Sequence, residues 1–306
     1  MERHNDTSNR ARYFYNRIAN GVPDLGKLLA AFIAFSTVLL CSTPAQAQRA
    51  IPDDNLAYPV LITLGNGSFG SGFFLTTKDA VYLVTAKHVL FLENSTQLIN
   101  PNAELLSHSK DPKDPTKTIL SVDLTIAQMS GNLKPHPTED VVVVKLFLNG
   151  MNPANPSIFP LSGVTIRSVA KGGLLSASAD TVGRFDDVLA GNEVILFGYP
   201  NSIGLQQIRQ LDPTRPLLRK GIVAGTNPER HSIILDCPAY FGNSGGPVVE
   251  LDPAGLGGFK LKIIGVVNQY VPFVQVAGSP TVAMQVVSNS GYSVITPMDY
   301  VLELIN

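Results

Sequence analysis

Cysteine is scarce in this chain, and this excludes a fold that depends on disulfide bonds. The 306 residues include only two cysteines and no tryptophan. Cys41 lies in an apolar stretch near the N-terminus, and its removal with that stretch would leave Cys237 unpaired. Burial of apolar side chains must therefore hold the fold together, which is feasible at this length. We interpret Cys237 as a small buried apolar residue rather than a nucleophile, since no histidine is closer in sequence than His231.

Charge and metal-binding motifs are also sparse. Charged residues make up 15% of the chain and the formal net charge is −1. This balance gives no support for nucleic acid or an anionic membrane as a partner. The sequence has no HExxH, no CxxC and no two histidines four positions apart. Its glycine-rich segments at 65–67 and 255–258 lack the strand-to-helix setting of a phosphate-binding loop. We therefore predict no metal and no cofactor.

Residues 1–47 have the pattern of a secretory signal peptide. Four arginines and Lys27 form a basic front, residues 28–40 are largely apolar, and Ala45-Gln46-Ala47 is an A-x-A cleavage pattern. The apolar part is short for a membrane span. We expect an exported protein, periplasmic or extracellular after cleavage near Ala47, with no integral membrane span in the mature chain. An anchor that is not cleaved is the alternative.

A serine surrounded by glycines is the most informative stretch of the chain. The glycines of Gly242-Asn243-Ser244-Gly245-Gly246 lose more backbone entropy on folding than other residues would. In return they permit a tight turn that can direct a hydroxyl and N–H groups to one point. The segment also satisfies G-x-S-x-G, the nucleophile elbow of α/β-hydrolases, but that class needs its histidine after the serine. All five histidines precede Ser244: His4, His88, His108, His136 and His231. A glycine-rich turn without a catalytic role is the other interpretation.

Candidates for a base and an acid lie earlier in the chain. Residues 70–75 and 81–86 have the pattern of two strands, and they lead into His88. Asp140 directly precedes a run of four valines, where a buried carboxylate could orient an imidazole. A structural histidine and an ordinary aspartate at the start of a strand are the alternatives. Glu139 is the neighbouring candidate for the acid.

These three segments, in the order His, Asp, Ser, resemble those of trypsin-like (chymotrypsin-fold) serine peptidases of bacterial type. The similarity lies in Gly70-Ser71-Gly72-Phe73, in 85–89 (T-A-x-H-V), in the strand start at Asp140 and in 242–247 (G-[DN]-S-G-G-P), and it extends from about Tyr58 onward. It implies that His88 is the general base, Asp140 the orienting acid and Ser244 the nucleophile. It further implies an oxyanion hole made by the N–H groups of Gly242 and Ser244.

The fold expected from the sequence is all-β. Short apolar segments alternate with turns, at 59–64, 70–76, 81–85, 118–128, 141–148, 193–198, 218–225, 232–235, 246–250, 260–268 and 293–295. Segments 94–117 and 153–162 are expected to be irregular loops, and 298–304 is the one helix expected. The resemblance implies two six-stranded Greek-key β-barrels with a short C-terminal helix and the site in the cleft between them.

The predicted division has three parts: a signal peptide at 1–47, a first barrel at 48–175 carrying His88 and Asp140, and a second barrel at 176–306 carrying Ser244. The boundary lies within 170–190, where glycine, serine and alanine collect. The chain ends shortly after the expected helix, so we expect no appended peptide-binding domain. The sequence does not indicate an oligomeric state.

The function predicted from these features is that of an exported serine endopeptidase acting on protein or peptide substrates. The resemblance places the floor of the primary pocket at Pro238 and its wall at Gly265, Val267 and Asn268, which favours a small or medium apolar side chain. Asn243 stands where animal digestive enzymes have an aspartate, so activation by a newly cut N-terminus is not expected. A latent peptide-binding or scaffold protein and an ester hydrolase are the alternatives.

Overall fold

The computed structural model describes residues 51–149, 158–201, 208–254, 258–279 and 282–305. The predicted signal peptide and part of the predicted loop at 153–162 lie outside these ranges. None of the helices in these ranges has the length and apolar composition that a membrane-spanning helix requires.

The first half of the described chain is a ten-stranded sheet. Its strands are β1 (Pro59–Leu64), β2 (Phe69–Thr76), β3 (Ala80–Thr85), β4 (Asn102–His108), β5 (Lys117–Asp123), β6 (Leu133–Pro135), β7 (Val142–Asn149), β8 (Ile158–Pro160), β9 (Val164–Ser168) and β10 (Ala177–Ser178). Six longer strands follow the spatial order β7-β3-β2-β1-β4-β5, and the short strands are added to them. Valine and isoleucine are frequent in β1, β3 and β7, as expected for pleated, buried strands.

The second half is a closed six-stranded barrel in the order β11-β12-β13-β16-β15-β14. Its strands are β11 (Glu193–Gly198), β12 (Leu217–Asn227), β13 (Ser232–Asp236), β14 (Pro247–Ala254), β15 (Gly258–Ser279) and β16 (Val282–Pro297). Three α-helices accompany the strands in the described ranges: α1 (Lys87–Leu90), α2 (Leu124–Met129) and α3 (Met298–Ile305). The predicted all-β fold with two barrel-like halves and a short C-terminal helix is thereby confirmed.

The two halves share a hydrophobic core. Successive residues of β3 point to opposite faces, so that Val81 and Leu83 fill the interior of the first half. Tyr82 and Val84 belong instead to a second cluster, which also contains Phe197 of β11. Helix α3 adds two buried side chains, Met298 and Val301, to this same cluster. Burial at this shared core fixes the orientation of one half against the other. Strand β10 pairs with β2, although the predicted division assigns it to the second half.

Several stretches differ from the sequence-based expectation, which included only one helix and therefore did not include α1. The segment 118–128, expected to be one strand, changes into α2 at Asp123, whose side chain accepts a hydrogen bond of 2.9 Å from the N–H of Ile126. This N-cap satisfies an N–H of the first turn, and α2 buries Leu124 and Ala127. The segment 94–117, expected to be irregular, contains β4. Strands β15 and β16 are much longer than expected, because Pro272 is accommodated at a register shift instead of ending the strand.

Candidate active site

His88 and Asp140 are brought together by the pairing of β3 with β7, in which Thr85 lies opposite Val142. His88 is in the first turn of α1, just after β3, and Asp140 precedes β7. The ring Nδ1 of His88 is 2.6 Å from Oδ2 of Asp140, and the backbone N–H of His88 donates to Oδ1 at 2.9 Å. Because a carboxylate only accepts hydrogen bonds, this contact assigns a proton to Nδ1, and in the neutral ring Nε2 is then the acceptor. This is the tautomer that a general base requires.

The loop before Asp140 is held by its own hydrogen bonds. His136 is buried, its N–H donates to the carbonyl of Val141 at 2.9 Å, and its Nδ1 accepts from the N–H of Glu139 at 2.9 Å. The side chains of His88 and Asp140 are 45% and 22% exposed, so the pair opens onto solvent at the cleft. In the described part of the chain Glu139 makes no hydrogen bond to His88, and the structure therefore places Asp140 and not its neighbour beside the ring.

The backbone around Ser244 forms a tight turn whose carbonyl groups point away from the cleft. The carbonyl of Phe241 accepts from the N–H of Asn201 at 2.8 Å, and that of Gly242 accepts from the hydroxyl of Ser71 at 2.6 Å. The carbonyl of Ser244 accepts from the N–H of Ser71 at 2.9 Å. Each of these peptide units is thus fixed by a bond to Asn201 or to Ser71.

The N–H groups of the turn separate into two kinds. Those of Asn243 and Gly245 donate to backbone carbonyls at 2.9 and 2.8 Å. Those of Gly242 and Ser244 donate to no atom of the described residues. Gly242 has φ +92°, a conformation that residues with a side chain rarely adopt, and a Cβ there would overlap the carbonyl oxygen of Tyr199. Two uncommitted donors on one turn can receive a developing oxyanion.

Ser244, His88 and Asp140 line one cavity of about 530 Å³. The hydroxyl of Ser244 donates to the carbonyl of Asn268 at 3.2 Å. Within the described residues it forms no hydrogen bond with His88. The three predicted triad side chains therefore face the same space, with the serine hydroxyl turned toward β15.

The cavity is mainly apolar. Val267 and Asn268, two of the four predicted pocket residues, line it, whereas Pro238 and Gly265 lie outside the lining that the described residues form. A Cβ on Gly265 would lie 2.6 Å from the carbonyl oxygen of Thr296, because Gly265 faces β16 inside the barrel. The apolar lining of the cavity was not predicted from the sequence. It comes from both halves: Phe91, Leu92, Ile99, Tyr240, Phe241 and Tyr270. The pair Tyr240-Phe241, directly before Gly242, was the signal available in the sequence.

Cys237 and the other described histidines lie outside the cavity at Ser244 and contact other parts of the fold. Cys237 is a free, fully buried thiol, and desolvation raises its pKa to about 11. His108 contacts the carbonyl of Thr214 through Nε2 at 2.8 Å, and His136 contacts Glu303. His231 stacks on the ring of Phe185. None of these histidines lines the cavity at Ser244, and the described residues contain no cluster of three or more metal-ligating side chains.

Several solved structures are similar to this chain. The HtrA-type protease AlgW with a tripeptide is 19% identical, with a TM-score of 0.44, over 84% of this chain and 60% of that one. The thermostable serine protease AL20 from an extremophilic microorganism is 12% identical, with a TM-score of 0.48, over 83% and 96%. The protease Anisep from Arthrobacter nicotinovorans is 16% identical, with a TM-score of 0.41, over 78% and 88%. This chain thus spans about 60% of the length of the AlgW protein it matches.

No curated protein sequence is similar enough to this chain to count as a match. The family comparison is positive: the sequence profile of the trypsin-like peptidase domain matches residues 70–255, which include His88, Asp140 and Ser244. Since this match covers more than half of the chain, the protein belongs to the trypsin-like peptidase family.

Proposed function

We propose that this protein is an exported serine endopeptidase that cleaves peptide bonds through an acyl-enzyme formed on Ser244. One observation carries the proposal. The hydrogen-bonded His88–Asp140 pair opens onto the same cavity as Ser244, whose turn also offers two uncommitted N–H groups. A base, a nucleophile and an oxyanion site are the components of acyl transfer.

In the proposed mechanism, the hydroxyl of Ser244 rotates away from Asn268 toward Nε2 of His88. His88 takes the proton as the serine oxygen attacks the substrate carbonyl, and Asp140 stabilises the imidazolium that forms. The N–H groups of Gly242 and Ser244 receive the oxyanion, each contributing about 3 kcal/mol to transition-state stabilisation. His88 then returns the proton to the leaving amine, and a water molecule releases the acyl group by the reverse steps.

The lining of the cavity favours an apolar side chain in the substrate. The aromatic and aliphatic side chains from both halves surround the serine, and Glu93 and Asp140 are its only carboxylates among the described residues. Asp140 is already engaged by His88. We therefore expect cleavage next to apolar residues, and a peptide library that showed strong preference for lysine or arginine would contradict this.

Export is part of the proposal and depends on the signal-peptide pattern of residues 1–47 alone. Expression of the full chain in a bacterial host, followed by fractionation and N-terminal sequencing, tests it. Recovery of a chain beginning near Gln48 outside the cytoplasm would support export. Recovery of the intact chain in the membrane fraction would support the uncleaved anchor instead.

A fluorophosphonate probe tests the catalytic proposal directly, because it reacts with serines activated in this way. We expect labelling of the wild-type protein and casein cleavage, and both should be lost in Ser244→Ala. Ser109→Ala is a matched control, since this serine is buried and distant from the serine turn in the chain. Labelling that survives in Ser244→Ala would refute the assignment.

One observation favours a second candidate, a peptide-binding protein without catalysis. Among the residues that the structure describes, the hydroxyl of Ser244 bonds to Asn268 and not to His88. Peptide binding without probe labelling or cleavage would establish this alternative. Hydrolysis of a small ester without casein cleavage would instead indicate an ester hydrolase.

A further inference from the structure

Ser71 connects the two halves of the protein at the serine turn. It lies in β2, it is fully buried, and it bonds to residues far from it in sequence. Its N–H donates to the carbonyl of Ser244 at 2.9 Å, and its hydroxyl donates to the carbonyl of Gly242 at 2.6 Å. The peptide groups at both ends of the segment 242–244 are therefore tied to one residue of the opposite half.

The direction of the hydroxyl bond is determined by its second partner. The N–H of Tyr199 donates to the hydroxyl oxygen of Ser71 at 2.9 Å. The single proton of the hydroxyl is then available for the carbonyl of Gly242, which has no other donor among the described residues. The carbonyl of Ser71 is itself fixed, since the hydroxyl of Thr85 donates to it at 2.7 Å. Hydrogen bonds from Tyr199 and Thr85 thus fix Ser71, and its hydroxyl in turn fixes the carbonyl of Gly242.

Gly242 needs this support because it has no side chain to restrict it. A glycine at φ +92° can reach other backbone conformations at little cost. A rotation of its peptide groups would turn the N–H away from the direction in which it can receive the oxyanion. The carbonyl of Phe241 is held by Asn201 on one side of Gly242. The hydroxyl of Ser71 holds the carbonyl of Gly242 on the other side. The Gly242 N–H belongs to the peptide group that Asn201 restrains, and Ser71 restrains the peptide group that follows Gly242, so the backbone is restrained on both sides of this flexible residue.

We propose that Ser71 is a positioning residue of the oxyanion hole, acting through its hydroxyl bond to the Gly242 carbonyl. This inference rests on the proposed peptidase function. Ser71 touches no substrate in this account, and its effect falls on the transition state through the orientation of the Gly242 N–H. Loss of the hydroxyl should therefore lower kcat and leave KM nearly unchanged.

The test compares Ser71→Ala with Ser71→Thr and with Ser109→Ala in the full chain, using a chromogenic peptide with an apolar side chain before the cleaved bond. Ser109 is a matched control, because its buried hydroxyl also donates to a carbonyl, that of Lys171 at 3.2 Å, and accepts a backbone N–H. We expect kcat to fall about tenfold in Ser71→Ala, as expected for loss of one net hydrogen bond. It should be largely restored in Ser71→Thr and unchanged in Ser109→Ala.

Equal losses of kcat in Ser71→Ala and Ser109→Ala would overturn the inference, since a general loss of stability would then explain both. Wild-type kcat in Ser71→Ala would overturn it as well. If Ser71→Ala does not fold, Ser71→Cys replaces it, because the thiol is similar in size but a weak donor. Its kcat should be reduced, and an unchanged kcat would count against the inference. A wild-type protein that neither cleaves nor reacts with the fluorophosphonate probe would instead refute the proposed function.

Discussion

Replacing Asp140 by asparagine should nearly abolish catalysis while leaving the fold intact. The carboxylate accepts two hydrogen bonds from one residue, the backbone N–H of His88 on Oδ1 and the ring Nδ1 on Oδ2. An amide has one accepting oxygen and one donating NH₂. If its oxygen keeps the backbone N–H, the NH₂ faces Nδ1 and the ring proton must move to Nε2. If it keeps the ring, the NH₂ faces the backbone N–H of His88.

The first arrangement places a proton on Nε2, the atom that accepts one from Ser244 in the proposed mechanism. In serine peptidases this wrong tautomer lowers kcat about 10⁴-fold, which corresponds to about 5 kcal/mol in the activation free energy. We expect a loss of that order in Asp140→Asn. The free energy of unfolding should fall by only about 1 to 2 kcal/mol, since one charge-assisted bond at a partly exposed site is lost. Turnover of a chromogenic peptide and urea unfolding measure the two quantities.

Glu139→Gln is the matched control for this prediction. It removes the adjacent carboxylate, which lies on the same loop but makes no hydrogen bond to His88 in the described part of the chain. Its kcat should stay within about twofold of the wild type, because a change at a group without such a contact alters the activation free energy by less than about 0.5 kcal/mol. The reasoning is refuted if Asp140→Asn keeps more than about a tenth of wild-type kcat, or if Glu139→Gln loses as much activity as Asp140→Asn.

Three further predictions concern stability and reactivity. Gly245→Ala should destabilise the protein by about 2 to 5 kcal/mol in urea unfolding, because φ is +88° and a Cβ would overlap the carbonyl of Ser71. Gly191→Ala, at φ +93° with no atom of the described residues within 4 Å of the added Cβ, should cost only about 1 to 2 kcal/mol, and equal costs would contradict the argument. Cys237, fully buried and with a pKa raised to about 11 by desolvation, should resist iodoacetamide at neutral pH until the protein is unfolded, which mass spectrometry would detect. Desolvation lowers the pKa of His108 from 6.5, so its stabilising contribution is complete above that pH and is lost as pH falls through the lowered folded-state pKa. His108→Gln should therefore lose less stability than the wild type between about pH 7.5 and about pH 5, and identical slopes would count against this assignment.

Much of the fold could be predicted from local patterns in the amino-acid sequence. Strands β1 and β11 begin and end at the predicted residues, because each is a short apolar run between turn residues. Strand β5 was extended too far, since the apolar residues of α2 continue the same hydrophobic run and only Asp123 marks the change. The length of β15 was also missed, because the predicted segment ends at residue 268, and the register shifts that carry the strand past Pro272 depend on its pairing with β16.

The candidate site was predictable to a similar extent. His88, Asp140 and Ser244 each stand in a short local motif that can be recognised without the fold. The aromatic lining was not predictable, since Phe91 and Tyr270 come from different halves and meet only at the cleft. Pro238 was expected at the pocket, but position along the chain does not determine which side of a strand end faces the cavity.

The sequence by itself determined the local features of this protein: where glycines permit a left-handed turn, where apolar runs form strands, and which side chains can donate, accept or attack. Only the tertiary structure decided which of these features meet. The bond from Ser71 to the carbonyl of Gly242 joins residues 171 positions apart, and the partner of His88 lies 52 positions away. Such contacts depend on how the two halves pack through their shared core, and no local pattern contains that information.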